Sequence, residues 1–299
     1  MCPEPHDEVI RLRKRVDERL GELVPAEDVP PEQLHKAIRY SLGAPGKRIR
    51  PLMTLLTATR LGAETEDALD PACAIEMVHT ASLIVDDMPF MDDAEMRRGR
   101  QANHRVFGQD VAALAAFDLV SRAFGTLAGA RGLDDTQRTE LVRLLSETLA
   151  NEGVIAGQLH DLQSEDKSPD RKALKRMYEQ KTGTLFVASS EAGARIARVP
   201  PEWIPPIRDF AMNMGILFQI LDDLLDRFGT LESIGKDVGQ DDGKTTLVSV
   251  LGPEEARAEA CHRLEAAERA LDPLGPAGRP LDEMARSLLE PGMAATLHG

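Results

Sequence analysis

Two acidic runs stand out by residue type and spacing. His79–Arg100 reads HTASLIVDDMPFMDDAEMRRGR, in which an apolar stretch ends in five carboxylates within ten residues and three arginines follow. The second, GILFQILDDLLDR (215–227), sets Asp222, Asp223 and Asp226 inside a strongly apolar helical pattern, with Gln219 one turn before Asp223. Asp222 and Asp226 form a like-charge pair at i,i+4, unfavourable by a few tenths of a kcal/mol even in water. Pro89 disfavours helix at Met88, so Asp86 and Asp87 fall at a helix C-terminus, where the dipole is itself negative. A solvated acidic turn is the plain alternative for a single such run. An EF-hand fits poorly, because the position five after Asp86 is Met91 rather than glycine. Two apolar helices bearing aspartate pairs instead suggest facing carboxylates in a bundle core, a hard-oxygen set suited to Mg²⁺ shared with substrate phosphates.

The basic residues complete the chemistry. GKRIRP (46–51) concentrates Lys47, Arg48 and Arg50. Arg97, Arg98 and Arg100 follow the first acidic run, QKTGT (180–184) supplies Lys181 and Thr182, and 229–244 carries Lys236 and Lys244. Surface ion pairing is the bland reading of each, whereas together they would clamp a diphosphate, arginine as a fork and lysine as a point charge. There is no GxxxxGK[ST], hence no P-loop.

These residues need helices to position them. Apolar residues recur at three- and four-residue spacing over 8–24, and helical patterns follow at 31–44, 51–61, 68–87, 109–130, 134–160, 171–197, 203–226 and 253–271. Period-two strands are lacking, and aromatics make up only 4% of the chain. The expectation is an all-α protein whose 299 residues form one domain, 1–299, without linker or internal repeat. The segment 229–244 is too glycine-rich and charged for a helix and reads as a lid. The chain beyond Leu271 is rich in Pro and Gly.

A net charge of −14 argues against a nucleic-acid surface. Three scattered cysteines, with no CxxC, suit a reduced compartment. With no signal-peptide pattern and no window read as a membrane span, a cytoplasmic location is expected.

In order, the pieces AIRYSLGAPGKRIRP, EMVHTASLIVDDMPFMD, RRGRQANH, GQLHDL, KTGTLF, FQILDDLLD and GKDVGQDDGKTTLVSVLG resemble the trans-isoprenyl diphosphate synthases, from about Leu34 to Gly252. The DDxxxxD form of the first motif (Asp86, Asp87, Asp92) looks most like bacterial geranylgeranyl diphosphate synthases of the carotenoid type. The resemblance implies a large antiparallel helix bundle around a deep central cavity, usually homodimeric. It implies a reaction joining isopentenyl diphosphate to C5, C10 or C15 allylic diphosphates, giving geranylgeranyl diphosphate (C20), with about three Mg²⁺ ions. Asp86, Asp92 and Asp222 would ligate the metal, with Asp226 acting directly or through water. Arg97, Lys181 and Lys236 would hold the allylic diphosphate, helped by Lys244. Lys47, Arg50, His79 and Arg98 would form a metal-free isopentenyl diphosphate site, while Thr182 and Gln219 would face the developing cation.

Ala81, five before Asp86, stands where farnesyl-producing relatives often carry a bulky aromatic. With Ser82 it would leave room for a C20 chain, whereas Phe117 on a neighbouring helix could shorten the product and keeps farnesyl diphosphate as the alternative. Pro45 departs from the glycine usual before GK, Val85 from a common His, and the tail lacks a basic C-terminus. A type I terpene cyclase shares the fold but would need neither DDLLD nor Lys47, Arg50 and His79. A non-catalytic partner subunit would usually have lost one aspartate motif.

Overall fold

The computed structural model describes residues 5–150, 152–164, 171–228 and 246–283, with Arg286 and Leu289. Helices dominate, as the periodicity predicts: α1 (Pro5–Leu23), α2 (Glu32–Leu42), α3 (Ile49–Arg60), α4 (Thr65–Asp86), α5 (Asn103–Phe107), α6 (Gln109–Ala128) and α7 (Asp135–Leu149). They continue as α8 (Val154–Ser164), α9 (Arg171–Tyr178), α10 (Thr184–Ile196), α11 (Ile204–Phe228), α12 (Leu247–Leu251) and α13 (Pro253–Ala270). Among the described residues the strands are two short ones, β1 (Met96–Arg97) and β2 (Arg100–Gln101), paired antiparallel. The protein is all-α.

Two compact units divide the chain: Met1–Leu55 with Ala63–Arg143, and Leu56–Gly62 with Leu144–Gly299. In the first, α4 has buried residues round its whole circumference and packs on α1, α2 and α6. A helix apolar on all sides is a central one. In the second, α11 packs on α10 and α13. Between α10 and α11, Glu191 is fully buried and accepts from both Arg195 and Arg208.

Three departures from the periodic reading have local causes. The pattern 134–160 breaks into α7 and α8 at a tight turn that only glycine permits, since a Cβ at Gly153 would lie 1.9 Å from the Thr148 carbonyl oxygen. The pattern 171–197 is interrupted by a π-helical turn, Glu179–Gly183, an insertion of the kind that often re-aims side chains at functional sites. The chain after Leu271 turns through a 3₁₀ segment, Asp272–Ala277, and buries Leu274 and Leu281. The 229–244 lid lies outside the described residues.

Among the described residues two helices are, by length and composition alone, long and apolar enough to cross a membrane, Thr65–Asp86 and Gln109–Ala128. The apolar window of α4 is 78% buried within the protein, as befits a core helix, and that of α6 only 33%.

Candidate functional site

The first unit assembles the DDxxxxD motif by folding its extra residues back. Asp86 ends α4, and the Asp92 amide donates to the Asp86 carbonyl at 2.9 Å, while the Met91 and Asp93 amides donate to Met88. Asp86 and Asp92, both half-buried, thus belong to one closed turn. Asp87 behaves differently. It is buried, and Arg97 donates Nε to its Oδ1 at 2.8 Å, with Nη2 on the same oxygen. Burial pushes the Asp87 carboxyl up from its ordinary range, and the Arg97 hydrogen bonds oppose that shift. Of the other acids, Asp93 pairs with Arg105 at 3.2 Å, and Glu95 lies 3.9 Å from the same guanidinium.

Arg97 and Arg98 ride on the β1–β2 hairpin. Arg98 (φ 54°) and Gly99 (φ 74°) supply the two positive φ angles of a two-residue type I′ turn. The hairpin is tied to α2, where Tyr40 donates to the Gln101 carbonyl at 2.9 Å and the Asn103 amide to the Ala37 carbonyl at 2.8 Å. Gly46 lets the Arg98 guanidinium come against the GKRIR turn, since a Cβ there would lie 3.1 Å from Arg98 Nη1.

The GKRIR turn is pinned by its middle residue. Arg48 is only 5% exposed and takes φ 51°. It donates Nε to Asp17 and Nη1 to the buried Glu76, each at 2.8 Å, and Nη2 to the Leu42 carbonyl at 2.6 Å. It is therefore a strut rather than a surface clamp, leaving exposed Lys47 and half-buried Arg50 on either side. Arg50 Nη1 lies 3.2 Å from His79 Nε2. Because a guanidinium can only donate, that ring nitrogen accepts, and His79 is the neutral Nδ1–H tautomer. Burial first, then Arg50, Arg98, Arg48 and Arg97, holds His79 well below the usual histidine range. Arg50, His79 and Arg98 thus belong to one basic cluster of the first unit, with Lys47 exposed on the neighbouring turn.

Along the same helix Ala81 is 2% exposed, and Ser82 donates to the His79 carbonyl at 2.9 Å. Phe117, on α6, is 75% exposed in the structure. It does not lie in the core of its own unit, as a residue flooring a cavity there would.

The second unit builds around the π turn. Lys181 and Thr182 both lie in it; the Thr184 backbone N–H donates to the Glu179 carbonyl across the wide turn, and Thr184 Oγ1 sits 2.9 and 2.8 Å from the Glu179 and Gln180 carbonyls. Three glycines make room for it. A Cβ at Gly157 would meet the Lys181 amide nitrogen at 2.3 Å, one at Gly183 would meet Met212 Sδ at 2.4 Å, and one at Gly215 would meet Gly183 Cα at 3.0 Å. Lys181 Nζ is bound to Asp161 of α8. Thr182 Oγ1 donates to Gln219 Oε1 at 3.1 Å, and Gln219 Nε2 to Asp223 Oδ1 at 2.8 Å. Asp222 is half-buried on α11 beside the buried Asp223. For Asp226 the structure describes the helix but not the side chain, and Lys236 and Lys244 lie outside the described residues.

Sequence reasoning missed Glu76, Tyr178 and Asp161. Glu76 carried a signal, a lone charge in an apolar helix one turn before His79. Asp161 and Gly157 stood in GQLHDL, whose order matched while its chemistry was unassigned.

The polyprenyl synthetase family model matches residues 31–270, which span both aspartate pairs. The chain is 40% identical over 278 residues to geranylgeranyl diphosphate synthase of Pantoea ananas, covering 91% of each chain. It is 40% identical over 248 residues to farnesyl diphosphate synthase of Geobacillus stearothermophilus, covering 81% of this chain and 82% of the other. Its structure is similar to that of the geranyltransferase of Helicobacter pylori complexed with magnesium and isoprenyl diphosphate. The TM-score is 0.86 at 29% identity, over 97% of this chain and 98% of that one. A match that runs nearly end to end and includes the residues of the site leaves one assignment: the chain belongs to the polyprenyl synthetase family.

Proposed function

We propose that the protein is a trans-prenyltransferase that joins isopentenyl diphosphate to allylic diphosphates and makes geranylgeranyl diphosphate, C20. The observation that carries the reading is the closed turn in which the Asp92 amide donates to the Asp86 carbonyl, so that both aspartates belong to one turn at a helix C-terminus. A pair of oxygen ligands held at a site otherwise hostile to negative charge fits a hard divalent cation. Asp86, Asp92, Asp222 and Asp226 would hold Mg²⁺, about three ions by analogy with the family. Bound there, Mg²⁺ would neutralise the departing diphosphate and favour ionisation of the allylic C–O bond.

The chain's own residues do the rest. Arg97, Lys181, Lys236 and Lys244 bind the allylic diphosphate, and Lys47, Arg50, His79 and Arg98 bind isopentenyl diphosphate. As the allylic C–O bond breaks, its electron pair leaves with the diphosphate. The isopentenyl double bond supplies the pair for the new C–C bond, and loss of a neighbouring proton, to the released diphosphate, restores a double bond. Thr182 and Gln219 offer oxygen lone pairs to the developing cation. His79, neutral, accepts from Arg50 and so adds no further charge to the basic cluster.

Ala81 supports C20, because a small side chain five residues before Asp86 leaves length for the tail. The second reading is farnesyl diphosphate, C15, favoured by the similar identity to the Geobacillus enzyme. We further take both units as parts of one catalytic domain, and the enzyme as a cytoplasmic homodimer. The dimer is supported by the apolar face of α6, where Leu114 and Phe117 are 58% and 75% exposed one turn apart. Light scattering should give twice the monomer mass, and Phe117→Glu should halve it.

The test is product length from the purified protein with Mg²⁺, isopentenyl diphosphate and each of the C5, C10 and C15 starters. C20 from all three supports the reading. Arrest at C15 moves the product to farnesyl diphosphate, and absence of condensation by folded protein sinks the enzyme assignment. EDTA should abolish turnover and added Mg²⁺ restore it.

A further inference from the structure

Tyr178 closes the last turn of α9, is 4% exposed, and has no part in the chemistry above. Its hydroxyl oxygen accepts from the Leu247 amide at 2.9 Å. That amide is the first of α12, one of the donors a helix start leaves without an intrahelical partner. Having accepted there, the phenol directs its own proton to Asp223 Oδ2 at 2.5 Å. The other Asp223 oxygen takes the Gln219 amide nitrogen at 2.8 Å.

The sense of each bond follows from the one before. An ionised carboxylate only accepts, so Gln219 must aim its nitrogen at Asp223 and its oxygen away. Thr182, facing that oxygen at 3.1 Å, must then spend its proton on Gln219. Both Thr182 Oγ1 and Gln219 Oε1 are left presenting lone pairs rather than hydrogens. Without Asp223 the carboxamide could rotate and present N–H, the wrong dipole beside a cation.

We propose that Tyr178 and Asp223 are positioning residues that fix the polarity of the Thr182–Gln219 pair, so that two oxygen lone pairs face the allylic cation as it forms. The inference rests on the prenyltransferase reading. It gives the buried second aspartate of DDLLD a role other than metal binding, and it gives Tyr178 one for which the sequence offered no reason.

The experiment is a double-mutant cycle on the full-length enzyme with Mg²⁺, isopentenyl diphosphate and geranyl diphosphate. Tyr178→Phe should lower kcat about tenfold or more, as loss of an outer partner commonly does, with KM for both substrates within about threefold. On a Thr182→Val background the same substitution should cost less than about threefold, because the group it orients is gone. Equal loss on both backgrounds, an effect confined to KM, or no loss at all overturns the relay while leaving the enzyme assignment standing. Wild-type protein that condenses nothing overturns the assignment, and the relay with it. Should Tyr178→Phe fail to fold by circular dichroism, Asp223→Asn, of the same shape but no longer a double acceptor, takes its place in the cycle. A loss in kcat that shrinks on the Thr182→Val background then supports the relay, and an equal loss on both overturns it.

Discussion

In the first unit Asp87 lies buried at the C-terminal end of α4 and is held by a guanidinium. In the second, Asp223 lies buried within α11 and is held by a phenol and a carboxamide. The two Asp-Asp pairs share a division in which the first aspartate is half-buried and the second is sunk into the fold. The partners differ in charge, and so does what each buried carboxylate can organise. Asp87 fixes the direction of a cation that is itself a diphosphate ligand candidate. Asp223 fixes the direction of neutral dipoles, adding no positive charge next to Thr182 and Gln219. Attracting an anion calls for a charged tether, and orienting dipoles toward a carbocation for a neutral one.

The comparison breaks most visibly if the half-buried aspartates prove dispensable. Asp86→Ala and Asp222→Ala should each cost about a thousandfold or more in kcat/KM, since metal charge stabilisation is worth several kcal/mol at about 1.4 kcal/mol per decade. Folded, active variants would show that neither holds metal.

Next in size is Glu76→Ala, which strands the buried Arg48 and should destabilise the fold by about 3 kcal/mol in urea titration. A midpoint equal to wild type would mean that Arg48 does not depend on that carboxylate.

The buried aspartates themselves sharpen the contrast. Asp87→Asn should raise KM for the allylic diphosphate about tenfold with kcat little changed, whereas Asp223→Asn should lower kcat with KM little changed. The same parameter moving in both would erase the proposed difference.

The smallest effect concerns pH. His79 is held neutral in the fold well below its ordinary value of 6.5. The unfolded chain therefore takes up a proton there that the fold refuses. Stability from this group is complete above about pH 6.5 and falls as pH drops toward the folded value. His79→Gln, which keeps an acceptor for Arg50, should flatten that acid limb when urea midpoints are compared between pH 8 and pH 5. An unchanged slope would show that other groups dominate it.

Much of the site was legible early because its chemistry is encoded in residue type at short range. The helix carrying Asp86, its end before Pro89, and the run of arginines after it follow from periodicity, proline sterics and counting. Arg48 shows the limit. Next to Lys47 and Arg50 it reads as a third clamp, yet it is buried, because only the fold brings Asp17 and Glu76 within reach of its guanidinium. The π turn at Glu179–Gly183 was equally hidden. A one-residue insertion leaves the apolar period of 171–197 almost intact, and the glycines that permit it come from three separate stretches of chain.

The sequence alone determined the element types, the carboxylates and cations available for chemistry, and the family, since each rests on local spacing or on short motifs in a fixed order. Tertiary structure decided which member of each pair is spent on architecture. That choice rests on burial, and burial is set by residues tens of positions apart: Tyr178 reaches Asp223 and Leu247, and Arg48 reaches Glu76. A buried polar group must find its partner inside the fold, and the identity of that partner is written nowhere near it in the chain.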